Sequence, residues 1–299
     1  MTSPNAQGRP TVDWRLVLVL WGDKYAASHV NVLAVNAYTQ SPTCGGVILM
    51  TDRLREGIDD RVQQVLISDR FNRDEFKKNY TIKLSLFDCG PRENGLPLVY
   101  LDLDTVVIGD LGKIASLVNE KNDIYMLPPG GALGFGLIRR LIFRGTHGRR
   151  MAVGNSSVLA FRSDMKPNLA DEFHRLRESR PTDTKVLMND DLFISWFGQM
   201  RLKPVPNALG VMFRREFLSR ARWFGWLKSR LPWVRRRREG VVAVTFNGIE
   251  HKLETLLQLP DGSLHHDAKG RFGYWSRQEM GSIKDKIVRR AGLLERANP

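Results

Sequence analysis

The chain is poor in cysteine: only Cys44 and Cys89 occur among its 299 residues. Two cysteines do not make a disulfide framework in a chain of this length, and they are too far apart for a metal-ligand pair. Proteins with so few cysteines are typical of reducing compartments. We therefore expect a cytoplasmic protein.

Long apolar runs are also missing. Leu16–Leu20 is far too short for a signal-peptide core or a membrane span, which needs about 18 consecutive apolar residues, and no other stretch reaches that length. The sequence thus predicts no transmembrane helix. Residues 1–13 are polar and contain proline and glycine, so we expect a flexible N-terminal tail.

Acidic residues are scarce relative to basic ones. Lys and Arg number 46 against 32 Asp and Glu, which gives a net charge of +14 and a pI of about 10.1. Such an excess indicates a polyanionic neighbour, namely nucleic acid, an anionic membrane surface or a phosphorylated substrate. Nucleic acid is the weakest of the three because no recognised nucleic-acid-binding motif is present.

What the chain does contain is a regular alternation of strand and helix patterns. Hydrophobic residues make up 42% of the chain, enough for a sizeable core. Leu16–Leu20, Val47–Met50 and Val62–Ile67 have the apolar pattern of buried strands, and an amphipathic helix starting near Ala26 separates the first two. This order predicts an α/β fold with a mixed, mainly parallel central sheet flanked by helices, in a single domain over residues 14–260.

The stretch from Leu98 to Ile108 carries two carboxylates, Asp102 and Asp104, between apolar runs. Ionised carboxylates are costly inside a buried strand unless a cation or hydrogen-bond donors meet them. Residues i and i+2 of an extended chain point to the same side, which suits two oxygens converging on one hard cation. The sequence therefore predicts a strand whose carboxyl end presents both carboxylates to a metal or ligand; the alternative is a turn with two solvated aspartates.

Neighbouring motifs extend this prediction. Five stretches resemble, in the same order, the GT-A glycosyltransferases, in particular family 8 and related bacterial nucleotide-sugar transferases. They are Val19–Tyr25, Lys83–Phe87, the DxD motif in Val99–Asp104, Asn155–Val158 and, more loosely, Asn189–Asp191. The resemblance implies a Rossmann-like GT-A fold and transfer of a sugar, with retention of configuration, from a UDP-linked donor to a glycan or lipid-linked acceptor, as in cell-envelope polysaccharide synthesis.

The resemblance also implies roles for individual residues. Metal ligands for Mn²⁺ or Mg²⁺ would be Asp102, Asp104 and Asn247, with Asp104 the direct ligand and Asp102 also near the ribose. The donor would be bound by Trp21, Gly22, Asp23, Tyr25, Lys83, Asp102, Asn155, Ser156, Ser157, Gly248 and Lys252. The catalytic carboxylates beside the anomeric carbon would be Asp190 and Asp191, which stabilise positive charge or serve as base or nucleophile.

Simpler interpretations remain for several of these residues. Lys83 either neutralises the leaving phosphate, orients Asp102 or lies on a solvated helix face. Asp190 and Asp191 also suit the first turn of a helix, where the helix dipole favours negative charge.

One departure from the family concerns its third metal ligand, a histidine near the C-terminus. Thr245 or Asn247 stands at that position, depending on the register, while His251 lies four residues further on and Lys252 takes the place of the phosphate-binding lysine with an offset of one. An Asn oxygen is a plausible ligand for Mg²⁺ or Mn²⁺, whereas a Thr hydroxyl is weaker.

Three further segments stand out by composition. Residues 128–154 form a glycine-rich basic segment, which predicts a lid or binding loop. Residues 214–238 contain ten basic residues, one acid and three tryptophans. That combination predicts an interfacial helix on an anionic membrane, or else an ordinary solvated face. Residues 261–299 have the composition of a basic C-terminal tail.

Two other functions compete with the transferase. Asp102-Leu103-Asp104-Thr105-Val106 also resembles the nucleophile motif of haloacid-dehalogenase-like phosphatases, although that motif normally opens the first strand and three strands precede it here. The other alternative is a non-catalytic basic membrane-binding or nucleic-acid-binding protein on a GT-A scaffold.

Overall fold

A computed structural model describes residues 13–72, 80–92, 95–128, 152–179, 189–198, 201–246 and 252–296, with positions 74, 76, 141, 142, 145, 146 and 187 between them. The predicted N-terminal tail and most of the predicted loop 128–154 lie outside these ranges. Asn247, Gly248 and His251 do so as well.

Three sheets organise the described residues. The strands are β1 (Trp14–Leu20), β2 (Cys44–Thr51), β3 (Val62–Leu66), β4 (Pro97–Leu101), β5 (Thr105–Val107), β6 (Ile124–Leu127), β7 (Asn155–Arg162), β8 (Leu202–Pro204), β9 (Gly210–Met212), β10 (Ala243–Thr245), β11 (Ser263–His266) and β12 (Phe272–Trp275). The central sheet has the order β3-β2-β1-β4-β7-β6-β8, and within it β7 alone runs antiparallel to its neighbours. This confirms the predicted mixed, mainly parallel sheet.

Helices and smaller sheets surround the central one. The helices are a 3-10 helix (Thr81–Arg92), α1 (Ala27–Gln40), α2 (Gly112–Ala115), α3 (Leu169–Ser179), α4 (Asp190–Gly198), α5 (Phe213–Glu216), α6 (Arg222–Arg230), α7 (Pro232–Glu239), α8 (Leu253–Leu257), α9 (Arg277–Met280) and α10 (Ser282–Arg296). Strands β5, β10 and β9 form a second sheet, and β11 pairs with β12. Among the described helices, none is both long and apolar enough to cross a membrane.

Burial on both faces explains the unbroken apolar runs of the central strands. In β1, Leu16, Leu18 and Leu20 enter one core cluster, whereas Val17 and Val19 enter the cluster on the other face. Successive side chains of a strand point to opposite faces, so a strand covered on both sides must be apolar throughout.

The apolar run around the two aspartates belongs to two strands rather than one. Strand β4 ends at Leu101 in the central sheet, and β5 begins at Thr105 in the second sheet. The amide of Thr105 donates to the carbonyl of Asp102 at 3.0 Å, so Asp102–Asp104 form a tight turn between sheets.

Other boundaries differ from the sequence prediction. The segment before β4 is a 3-10 helix over Thr81–Arg92, and helices α2 and α8 are short, at Gly112–Ala115 and Leu253–Leu257. Strands β8, β9, β11 and β12 were not predicted because three or four residues are too few for a clear alternation.

Several side chains between residues 275 and 291, within the predicted basic tail, pack into a third core cluster. Trp275, Met280, Ile283 and Ile287 are buried there together with Phe246 of the preceding segment. Apolar side chains at this spacing supply α10 with a buried face, although its sequence is dominated by charge. The boundary at residue 260 stays a prediction.

Candidate functional site

The candidate site lies where β1 and β4 end and β7 begins. Parallel strands share one carboxyl edge, so the turns after β1 and β4 emerge together. Because β7 runs antiparallel to β4, its first residues reach the same edge. The amide of Asp102 donates to the carbonyl of Ser157 at 2.9 Å, which fixes the turn against β7.

Asp102 is held by two donors. The Lys83 Nζ atom lies 2.7 and 2.9 Å from the two Asp102 carboxylate oxygens, and the Tyr100 hydroxyl donates to Oδ1 at 2.5 Å. The side chain of Lys83 is only 13% exposed, which rules out a solvated helix face for this residue. Burial alone would lower the pKa of Lys83, but the nearby Asp102, Tyr100 and Asp190 and the hydrogen bond to Asp102 together outweigh it, and the pKa is raised well above its usual value. Lys83 is therefore a permanent cation.

Asp190 and Asp191 join the same cluster from the first turn of α4. Lys83 Nζ lies 3.7 Å from Asp190 Oδ2, and the Ser156 hydroxyl donates to that oxygen at 2.6 Å. Asp191 accepts from the Ser156 amide at 2.6 Å and from Asn155 Nδ2 at 3.1 Å. The two aspartates thus occupy the helix position that the dipole favours and also face the site.

The pKa of Asp191 is raised to about 6 by burial and by the negative charge of Asp190. The hydrogen bonds from Ser156 act in the opposite direction but do not cancel these effects. A carboxyl with such a pKa exchanges its proton near neutral pH, as proton-transfer groups do.

Asp104 has a different environment from Asp102. The Thr245 hydroxyl lies 3.3 Å from its Oδ1, and the amide of Phe246 donates to its backbone carbonyl at 2.9 Å. Burial and the adjacent charge of Asp102 raise the pKa of the Asp104 carboxyl to about 6. Asp104 therefore carries negative charge that the surrounding protein compensates poorly.

The carboxylates of Asp102 and Asp104 meet part of what a hard divalent cation requires. Among the described residues, no three His, Cys, Asp or Glu side chains come together to hold a metal. Mg²⁺ in nucleotide enzymes commonly uses one or two carboxylates together with substrate phosphates and water. The poorly compensated Asp104, with Asp102 two residues away, matches that donor set.

Residues of the turn after β1 contact either the candidate site or a neighbouring group of ion pairs. The Gly22 amide donates to Asp52 Oδ2 at 3.1 Å, and Asp23 is paired with Arg53. Trp21 packs edge-on against Tyr80, with ring centroids 6.2 Å apart. Gly22 has a φ of +61°, which favours glycine at this turn.

A cavity of about 580 Å³ opens beside Asp104. Helix α1, strand β5 and helices α8 and α10 all contribute to its walls. Its lining includes Lys24, Tyr25, His29, Asn36, Leu103, Asp104, Thr105, Phe246, Lys252, Glu254 and Arg290. The structure thus places Tyr25, Asp104 and Lys252 on the cavity, while Lys83, Asp102, Asn155, Ser156, Asp190 and Asp191 form the hydrogen-bonded cluster.

Sequence reasoning missed several residues of this region. Tyr100 lies two residues before Asp102, and the same i, i+2 spacing that linked the two aspartates would have placed its hydroxyl on the Asp102 side. Asp52, His29, Asn36 and Arg290 carry no comparable signal, because distant segments bring them to the site.

The solved structures similar to this chain include glycosyltransferases. The galactosyltransferase LgtC, solved with donor and acceptor sugar analogues, matches at 14% identity over 93% of this chain and 95% of its own, with a TM-score of 0.52. The bifunctional glycosyltransferase WbbM matches at 11% identity and a TM-score of 0.56; 93% of this chain is covered but only 49% of WbbM. Apo GlyE of Streptococcus pneumoniae matches at 10% identity and a TM-score of 0.51, over 94% of this chain and 62% of GlyE.

Comparisons of sequence identify no relatives beyond these structural matches. No family model matches the chain, and no curated protein matches it. Identities of 10–14% show a shared fold rather than a shared activity. The chain therefore has the fold of GT-A-type glycosyltransferases.

Proposed function

We propose that this protein is a metal-dependent glycosyltransferase that moves a sugar from a UDP-linked donor to a glycan or lipid-linked acceptor at the cytosolic membrane face. The observation that carries the proposal is the gathering of Asp102, Asp104, Lys83, Asp190 and Asp191 at one edge of the central sheet. Ligands of open α/β sheets bind at the carboxyl ends of the strands, so this edge is the expected place for the donor.

The charges of the site suit the departure of a nucleoside diphosphate. A Mn²⁺ or Mg²⁺ ion held by Asp104 and Asp102 would neutralise the diphosphate as a Lewis acid. Lys83 holds Asp102 in position, with its Nζ atom 2.7 and 2.9 Å from the two carboxylate oxygens. Asn155 and Ser156 orient the Asp190–Asp191 pair, which we assign to the anomeric carbon, where carboxylates stabilise oxocarbenium character.

A binding panel tests the proposal. UDP, GDP and ADP, their sugar derivatives and Mn²⁺ would be titrated into the protein by calorimetry. We expect metal-dependent binding of UDP, and we expect Asp104→Ala to abolish it. Asp60→Ala, which removes an exposed carboxylate, is the matched control and should bind like the wild type.

Other outcomes of the panel would point to the competing functions. Release of phosphate from phosphomonoesters without nucleotide binding would favour the phosphatase, whose nucleophile motif the same two aspartates resemble. Vesicle binding without nucleotide binding would favour the non-catalytic protein. Retention of configuration is part of the proposal, and the anomeric proton couplings of the first-formed product test it by NMR.

The membrane component of the proposal rests on helices α6 and α7. Trp223, Trp226 and Trp233 are 68%, 51% and 67% exposed, and Phe224 and Leu227 are exposed beside them. We call these five residues the aromatic patch. Exposed tryptophans among arginines are typical of surfaces that lie in the membrane interface.

Seven cations of the same segment fall into two sets. Lys228, Arg237 and Arg238 point inward, with nitrogen atoms 3.4, 2.6 and 2.7 Å from the buried Glu216 carboxylate. Arg220, Arg222, Arg235 and Arg236 are exposed. The exposed set leaves positive charge around the aromatic patch for anionic lipid headgroups.

A further inference from the structure

Strands β11 and β12 form a hairpin whose two faces differ. The inner face packs into the third core cluster through Trp275. The residues that alternate with the buried ones form what we call the outer face of the hairpin, and they are Leu264, His266, Phe272 and Tyr274. Leu264 is 40% exposed, His266 is exposed, and the two aromatic rings are half-buried. The outer face thus presents mainly apolar and aromatic side chains to solvent.

The segment before α6 joins the hairpin to the helix that carries most of the aromatic patch. The amide of Ser219 donates to the carbonyl of Phe272 at 2.8 Å, and the amide of Phe272 donates to the carbonyl of Ser219 at 2.7 Å. Residues that exchange hydrogen bonds across antiparallel strands point to the same face, so Ser219 lies beside Phe272 on the outer face. Helix α6 begins three residues later, at Arg222.

Helix α6 packs on this side of the hairpin. The guanidinium carbon of Arg222 lies 4.9 Å from the centroid of the Phe272 ring, which is a cation–π contact. A Cβ atom on Gly225, one turn further along the helix, would lie 3.5 Å from the Cβ atom of Ser219. Trp223 follows Arg222 directly and is exposed. The aromatic patch and the outer face are therefore adjacent parts of one surface.

The two parts of this surface lie at different heights. An α-helix with its side chains is about 10–12 Å across, so the exposed side of α6 projects beyond the outer face of the hairpin. Interfacial helices bury their apolar side about 5–10 Å into the boundary between headgroups and acyl chains. With the α6 tryptophans at that depth, the outer face reaches the headgroup layer. Tyr274 and His266 suit that layer, because each has an apolar body and a polar tip.

The charges around the outer face favour anionic headgroups. Exposed cations stand beside it, namely Arg220, Arg222 and Lys269. The acids of the hairpin have internal partners instead. Asp267 in the turn is buried and paired with Arg271, and Asp261 before β11 is paired with Lys284. The outer face therefore offers positive charge next to apolar side chains, which is the chemistry that an anionic bilayer surface complements.

We infer that the outer face of the hairpin is a second membrane-contacting element, which binds the headgroups of an anionic bilayer while the aromatic patch enters the interface. The inference rests on the proposed function and extends it. A single patch leaves the tilt of the protein on the membrane open, whereas contacts from two elements fix it. The position of the candidate site above the bilayer is then defined, as transfer to a lipid-linked acceptor requires.

A paired charge substitution tests the inference. Leu264→Glu with Lys269→Glu places two carboxylates on the hairpin, and co-flotation of the full chain with vesicles of phosphatidylglycerol and phosphatidylcholine is measured. Leu54→Glu with Lys113→Glu is the matched control, because it makes the same change in charge at an exposed leucine and an exposed lysine elsewhere. We expect the hairpin variant to bind about tenfold more weakly than the wild type and the control to bind within about twofold of it, since headgroup attraction is short-ranged.

Thermal unfolding and calorimetric titration with UDP show whether the hairpin variant keeps its fold. If the double variant does not fold, Lys269→Glu alone replaces it, with Lys113→Glu as its control. A folded hairpin variant that floats as well as its control would overturn the inference and leave the aromatic patch as the membrane contact. Failure of the wild type to float with these vesicles would overturn both membrane claims. Absence of UDP binding by the wild type would instead overturn the proposed transferase, whatever flotation shows.

Discussion

Lys83 connects two parts of the candidate site, because its ammonium group contacts carboxylates that come from different elements. Asp102 follows β4, and Asp190 begins α4. Each carboxylate is buried or half-buried, so this cation supplies the counter-charge that water would supply at the surface. The lysine thereby positions the residues that we assign to the metal and to the sugar.

Replacement of Lys83 by Met should destabilise the protein strongly. Removal of one partner from a buried ion pair costs about 3–5 kcal/mol, because the remaining charges are left uncompensated. Urea unfolding at pH 7 measures the loss, with the exposed Lys113→Met as the control. Equal stability of the two variants at pH 7 would contradict the pairing.

Asp191 should make the folded state more stable at acidic pH than at neutral pH. Its folded-state pKa of about 6 lies above the usual 3.8, so its contribution is fully present below pH 3.8 and is lost as the pH rises through 6. This difference between the folded-state pKa of Asp191 and its usual value corresponds to at most about 3 kcal/mol in the free energy of unfolding.

The substitution Asp191→Asn isolates this contribution. The variant lacks the titrating carboxyl, so the difference in unfolding free energy between wild type and variant should shift in favour of the wild type as the pH falls from 7 to 4. Denaturant unfolding across that range gives the difference directly. A pH-independent difference would show that Asp191 has an ordinary pKa in the folded protein.

At the scale of elements, one reversed strand builds the hydrogen-bonded cluster. Since β7 is antiparallel to β4, Asn155 and Ser156 at its start meet the turn at the end of β4. The apolar pattern of Val158–Phe161 predicts the strand but carries no information on its direction, because both orientations bury the same side chains. The sequence resemblance supplied the motif, and the pairing in the sheet brings its side chains to Asp191 and Asp190.

Helices α5, α6 and α7 are joined through one buried carboxylate. Burial raises the pKa of Glu216, but the charges of Lys228, Arg238 and Arg237 outweigh it and lower the pKa from its usual value. Arg238 also donates to the carbonyl of Glu279 at 2.6 Å, which ties α7 to α9. The stabilisation from Glu216 is therefore present above about pH 4.5 and is lost as the pH falls through its lowered pKa.

The substitution Glu216→Gln should cost about 3 kcal/mol or more at pH 7, because Arg238 remains buried without a counter-charge. Glu239→Gln, at an exposed position of α7, is the matched control and should change stability by less than about 0.5 kcal/mol. Denaturant unfolding compares the two variants. A loss in Glu216→Gln as small as that of the control would mean that the ion pairs add no net stability.

At the scale of the whole molecule, the net charge of the chain differs from the charge that its surface offers to a partner. The excess of +14 includes arginines and lysines that are committed to internal carboxylates, such as those around Glu216. The sequence-based interpretation treated residues 214–238 as one basic surface. Burial separates them into cations that hold helices together and cations that face solvent beside the aromatic patch.

Loss of the aromatic patch should release the protein from anionic membranes. We expect the combined substitution of Trp223, Trp226 and Trp233 by Ser to lower co-flotation with phosphatidylglycerol-containing vesicles by at least about tenfold, because interfacial burial of each indole is lost. High salt should weaken wild-type binding as well. Leu54→Ser with Leu66→Ser, two exposed apolar residues elsewhere, is the control. Flotation of the triple variant equal to that of the control would refute the membrane proposal.

The sequence by itself determined the alternation of strands and helices and the position of Asp102 and Asp104 at the end of a strand. Buried strands require continuous apolar runs, and carboxylates between them must emerge at an edge. Only the tertiary structure decided that β4 and β5 belong to different sheets, that Lys83 is buried between two carboxylates, and that α10 reaches the cavity with Arg290. Those outcomes depend on contacts between segments far apart in the chain, and local hydrophobic patterns contain no record of which segments will meet.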